Sequence, residues 1–97
     1  MTSDTTPPIA VRDNPEEHRF EAVVDGKLCR AEYRREGDVL AMTHTEVAQG
    51  LENRGVAREL VRYAVEFARS NHLRIAPHCS YVRGYIERHP ETQDVLA

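Results

Sequence analysis

Between Val39 and Ala76 the residues change period twice, and few folds accommodate that order. Val39 to Val47 reads as a strand, and Ala48 to Arg54 as a polar loop containing Gly50. Gly55 then opens a segment in which Ala57, Leu60, Val61, Ala64, Val65 and Ala68 recur at three- and four-residue spacing, with no Gly or Pro to interrupt them. That spacing lays one apolar stripe along a helix. Asn71 is a natural left-handed stop, and Leu73 to Ala76 reads as a short strand closed by Pro77. A strand–helix–strand unit of this kind crosses over right-handed. The rest of the chain has to be added around it.

Upstream, Arg19 to Val24 alternates, with Phe20, Ala22 and Val24 on one face. Asp25-Gly26 separates it from Lys27 to Arg35, whose Cys29, Ala31 and Tyr33 share a face. Asp-Gly between strand-like runs is a strong hairpin signal, because both residues tolerate positive φ. Glu36-Gly37-Asp38 makes a further turn into the third strand. Downstream, Ser80 to His89 reads as a second helix with Val82, Tyr85, Ile86 and His89 inward and Pro90 at its end. The expected class is α+β with an α/β-type core, in the order β-β-β-α-β-α. Residues 1–14, rich in Thr, Pro, Asp and Ser, read as a flexible tail with at most a short edge segment at Ile9 to Arg12. Residues 15–97 read as one domain, and the last few are expected to fray.

The net charge of -3 provides no global attraction for nucleic acid, and no basic stripe is interleaved with aromatics. No apolar run is long enough to span a bilayer, and the N-terminus has no basic-then-apolar secretory pattern. A cytoplasmic, monomeric protein with free Cys29 and Cys79 is therefore expected. No His/Cys spacing matches a metal site.

The segment from Glu46 to Ala57 holds the chemistry. A strand ends, a loop turns, and a helix begins at Gly55. Open amides at a helix start attract anions. Gly55 and the small Ala57 keep the backbone accessible, and Arg54, Arg58 and Arg62 supply charge. There is no Gly-Lys-Ser/Thr run and no three-glycine dinucleotide fingerprint. An ordinary tight turn with solvated arginines would give the same local pattern.

The loop resembles the cofactor loop of the GNAT acetyltransferases, whose core is Gln/Arg-x-x-Gly-x-Gly/Ala and here reads Glu52-Asn53-Arg54-Gly55-Val56-Ala57. Thr43 to Val47, Arg54-Gly55 and Cys79-Ser80-Tyr81-Val82 together resemble a minimal GNAT subfamily of about this length. The resemblance covers roughly Phe20 to Pro90 and implies acetyl-CoA as donor to an amine acceptor. It implies phosphate contacts from Asn53, Arg54, Gly55, Val56, Ala57 and Arg58. A pantetheine arm would pair near Thr45 and Val47, with Tyr81 flanking the site. Glu52 departs from the motif, because a carboxylate beside a pyrophosphate is unfavourable unless it turns away. The tyrosine acid of larger relatives would fall at Ile86, one step from Tyr85.

Cys79 precedes a helix, where amides and the dipole favour thiolate, so it is a candidate acetyl carrier or a small core residue. A Cys at this motif position in the subfamily it resembles puts the first role on an equal footing with the second. His44 is a candidate base on the third strand, alternating with Leu40, Met42 and Glu46 on one face, and Glu46 is the other base candidate. The ordinary reading of His44, a half-buried strand histidine bonded to a neighbour, is the preferred one, and the ordinary reading of Glu46 is a solvated strand-end charge. A non-catalytic CoA-binding or sensing module and a protein-interaction domain are the competing functions, since so short a chain gives little wall to an acceptor pocket.

Overall fold

The computed structural model describes residues 9–97. Its elements are β1 (Arg12–Asn14), β2 (Arg19–Val24), β3 (Lys27–Glu36), β4 (Val39–Glu46), α1 (Val56–Ser70), β5 (Arg74–Pro77) and α2 (Ser80–Arg88), followed by a 3-10 segment at Pro90–Val95. The strands form one five-stranded sheet in sequence order. β1 to β4 are antiparallel neighbours, and β5 lies parallel to β4 after the α1 crossover. The class is α+β as expected, with one additional strand.

That strand, Arg12–Asn14, falls inside the segment assigned to the flexible tail and beyond most of the edge segment expected at Ile9 to Arg12. Arg12 and Asn14 both bond Glu21 on the next strand, so side-chain charge rather than apolar alternation holds the edge in place. The expected flexibility of residues 1–8 falls outside the described residues.

One face of the sheet carries the core. Phe20, Cys29, Ala31, Leu40, Met42 and Ile75 are fully buried against Leu60, Val61 and Ala64 of α1 and Val82 of α2. Each buried Leu or Val side chain contributes on the order of 1.5–3 kcal/mol. Phe20 anchors an aromatic cluster, with Tyr33, Tyr63 and Phe67 at centroid distances of 4.7, 5.4 and 5.2 Å. Glu59 in the first turn of α1 and Arg69 in the last complement its dipole.

The end of α1 differs from the sequence expectation. Asn71 has φ -106° and caps the Phe67 carbonyl with its side chain, while His72 takes the left-handed position at φ 57°. The Leu73 amide then reaches back to the Ala68 carbonyl at 2.8 Å, and buried Leu73 and Ala68 close the turn. The C-terminus does not fray either. Arg69 grips Asp94 with two bonds of 2.8 and 3.0 Å, Val95 is buried, and Leu96 bridges Ile75 beside the outer edge of β5.

Candidate active site

The β3–β4 ladder is out of step at one point. Glu32 pairs with His44 and Tyr33 with Met42, which leaves Thr43 as an extra residue on β4. A bulge of this kind inverts the facing of everything after it. Leu40 and Met42 therefore point into the core, Thr45 joins the core face opposite Ala31, and His44 and Glu46 turn to the other face beside Glu32 and Arg30. The expectation that His44 and Glu46 share a face with Leu40 and Met42 is corrected by the bulge, which strict alternation cannot foresee.

The parallel β4–β5 ladder ends at Met42 and Pro77, while β4 continues to Glu46. Beyond that point the two strands part. The Cys79 amide donates to the Met42 carbonyl at 3.0 Å, and its sulfur lies 3.6 Å from the Thr45 hydroxyl. Cys79 is the N-cap residue of α2 and is half-buried. Burial pushes its thiol pKa up. The Val82 amide, the Thr45 hydroxyl and the Tyr81 amide pull it down and prevail, so the thiol ionises below its ordinary range. His78, its neighbour in sequence, is exposed.

On the far side of the sheet, Glu46 Oε1 lies 3.1 Å from His44 Nε2 and accepts from Arg30 Nη2 at 3.1 Å. His44 and then Arg30 hold the Glu46 carboxyl below the usual carboxylate range, which makes it a weaker base. These two base candidates are brought together with each other and not with Cys79.

The loop between β4 and α1 is tightly pinned. Leu51 is buried, and its amide donates to the Ala48 carbonyl. The Arg54 amide donates to the Leu51 carbonyl at 3.1 Å, so it is engaged within the loop, and the contact Arg54 can offer a phosphate is its side chain. Glu52 turns back to accept from the Gly50 amide at 2.9 Å, which resolves the motif departure by pointing the carboxylate into the loop. Gly55 caps α1 at φ 78°, where a Cβ would come 3.0 Å from the Arg58 guanidinium. The amides of Val56, Ala57 and Arg58 begin the helix and have no acceptor within it. Val56 is buried, Ala57 and Gly55 are half-buried, and Asn53, Arg54 and Arg58 are exposed. A glycine cradle, free amides and two guanidiniums fit a pyrophosphate. The stretch of β4 at Thr45, paired with β3 but no longer with β5, and Val47 just beyond it fit an extended amide-bearing arm.

Tyr81 is half-buried at the start of α2. Tyr85 is buried and stacks on His89 with centroids 4.0 Å apart. Burial, then the nearby Glu91, raises its hydroxyl pKa. Sequence reasoning missed three contacts that shape the loop: Asp25 on Arg54, Lys27 on the Gln49 carbonyl, and the Ala48 amide on the buried Cys29 sulfur. Each spans a long stretch of chain, so only the Asp25-Gly26 hairpin signal hinted at them.

The sheet thus opens where its parallel strands part, with the glycine-capped α1 following β4 and Cys79 following β5. Residues 19–95 match the model of the GCN5-related N-acetyl-transferase family, and the chain belongs to that family. Its fold is similar to the NMR solution structure of a GCN5-like candidate N-acetyltransferase from Staphylococcus aureus, with a TM-score of 0.73 and 28% identity over 92% of this chain and 88% of that one. No curated protein matches the sequence.

Proposed function

We propose that the protein is an acetyl-CoA-dependent N-acetyltransferase in which Cys79 stands at the reaction centre and the acceptor is an amine. The observation that carries this reading is the Cys79 sulfur, half-buried where β4 and β5 part, beside Thr45 and the first amides of α2. Acetyl-CoA supplies an activated thioester. The Val56, Ala57 and Arg58 amides, with the Arg54 and Arg58 side chains and Asn53, hold its phosphates. The backbone at Thr45 and Val47 aligns its arm, and Tyr81 flanks it.

In the two-step route the Cys79 thiolate attacks the acetyl carbon. A bond to Cys79 forms as the bond to the CoA sulfur breaks, and CoA departs as the thiol with the proton Cys79 gave up. An amine then displaces Cys79, forming the amide and returning a proton to the sulfur. In the direct route the amine attacks the thioester itself, with His44 or Glu46 taking its proton through water. The separation of His44 and Glu46 from Cys79 by the sheet favours the two-step route over the direct one.

A second reading, a CoA-binding or sensing module without turnover, is favoured by one observation: no carboxylate or imidazole hydrogen-bonds Cys79 among the described residues. Calorimetric titration with acetyl-CoA, CoA and ATP tests the shared cofactor assignment. Saturable binding of the first two alone supports it, and no binding by folded protein sinks it. Acetyl that appears on Cys79 and is chased onto an amine then establishes the enzyme, whereas stable binding without CoA release across an amine panel leaves the sensor.

A further inference from the structure

The tip of the β2–β3 hairpin leans on the anion loop. Asp25 and Gly26 have φ 53° and 75°, the paired positive values of a tight two-residue hairpin turn. This geometry projects Asp25 across the fold, where its Oδ2 lies 3.1 Å from Arg54 Nη1. From the next residue along the hairpin, Lys27 donates to the Gln49 carbonyl at 3.0 Å. A Cβ on Gly50 would stand 3.6 Å from that ammonium. The hairpin therefore holds the loop at two points, one through its backbone and one through its arginine.

The two contacts differ in kind. Lys27 fixes the path of the loop. Asp25 instead occupies the side chain of Arg54, the residue immediately before the glycine that caps α1. Asp25 is the only carboxylate paired with Arg54 among the described residues, and both side chains are about half exposed, at 60% and 45%. A solvated pair of this kind is weak and exchangeable. A pyrophosphate offers the guanidinium a stronger, forked partner.

Resting on the acetyl-CoA reading, we propose that Asp25 is a built-in competitor for the anion. It neutralises Arg54 in the free protein and yields it to the phosphates on binding, while Lys27 keeps the loop in place. Asp25 and Lys27 are positioning residues in this scheme, and the affinity measured for CoA already includes the cost of breaking the Asp25–Arg54 pair.

The test is the dissociation constant for CoA, by calorimetry, of the native chain, Asp25→Asn, Arg54→Gln and the double variant. Asparagine adopts positive φ readily and suits this turn, so Asp25→Asn removes the charge and keeps the hairpin. Asp25→Asn is expected to bind CoA about two- to five-fold more tightly, the span set by exposed ion pairs. That gain should vanish in the Arg54→Gln background, and the Arg54 guanidinium Nε–H signal in the native protein should move on CoA addition. Equal or weaker binding by Asp25→Asn overturns the inference, as does a gain that survives without Arg54. If the native chain binds CoA and only these variants disagree, the competitor role falls and the cofactor reading stands. If the native chain binds none, both fall together.

Discussion

At the scale of single residues, two cysteines of one chain have opposite fates. Cys29 is fully buried and its sulfur accepts from the Ala48 amide. Cys79 is half-buried, beside the Thr45 hydroxyl and the α2 amides, which lower its pKa against the opposing effect of burial. Iodoacetamide should therefore label Cys79 and spare Cys29 until the protein unfolds. The pH midpoint of that labelling should lie below the value of about 8.5 for a free thiol. Thr45→Val should raise the midpoint, because one donor to the thiolate is gone. Mass spectrometry across a pH series reads both effects, and an unchanged midpoint in Thr45→Val would deny Thr45 that role. For turnover, Cys79→Ala should remove amine-dependent CoA release if acetyl passes through the sulfur, and full turnover by that variant establishes direct attack. Cys79 was legible in the sequence because a cysteine between Pro77 and a helix start is a local pattern. The facing of His44 was not. It depends on one extra residue, Thr43, whose consequence appears only when β3 is laid beside β4.

At the scale of elements, the start and stripe of α1 were legible in the sequence, because the stripe and the glycine that starts the helix are both local, whereas the contacts that pin the loop before it were not. Gly55 is required by its φ of 78°, and a Cβ there would come 3.0 Å from the Arg58 guanidinium. Gly55→Ala is expected to cost about 1–2 kcal/mol from the left-handed backbone alone, lowering the melting temperature by roughly 4–8 °C for each kcal/mol. The added methyl meets the flexible end of Arg58, which can shift, so the strain resides mainly in the backbone. CoA affinity should fall as well, because the Arg58 guanidinium is displaced from the cradle. A thermal melt and a CoA titration on the same sample check the two effects separately. The closing 3-10 segment was not legible. Its anchors, Arg69 to Asp94 and the Gln93 side chain to the Ile86 carbonyl, join residues far apart in sequence or across a turn. Arg69→Ala should change the melting temperature little, since the pair is exposed. It should still speed amide exchange at Ala97, whose bond to the Ile75 carbonyl depends on the segment staying docked.

At the scale of the whole molecule, both helices cover one face of the sheet, and the other face is a lattice of charges. No helix among the described residues is long and apolar enough to cross a membrane. On the open face Glu21 bonds Arg12, Arg19 and Asn14, Arg30 joins Glu32 to Glu46, and Arg34 meets Glu36. Glu21 has only 6% of its surface exposed, yet its cover is its own polar partners and not the apolar core. The Arg19 bond is the strongest influence on it. Burial opposes that bond, Asn14 and Arg12 reinforce it, and the net effect brings its pKa down to about 2. A carboxyl with a depressed folded-state pKa adds stability above its unfolded value of about 4.3 and loses it as pH falls towards the folded one. The window for Glu21 therefore runs from roughly pH 5 down to about 2. Glu46 and Asp94, also lowered, add slope of the same sign. Because Arg12 is largely exposed and water screens its share of the interaction, the contribution of Glu21 is about 1 kcal/mol and not the full value of the shift. Glu21→Gln should then be less stable than the native chain at neutral pH and converge with it only as pH falls below about 2. Between those limits its denaturation curve should be flatter. Urea midpoints measured at unit steps of pH separate this from a packing defect, which would lower stability by the same amount at every pH.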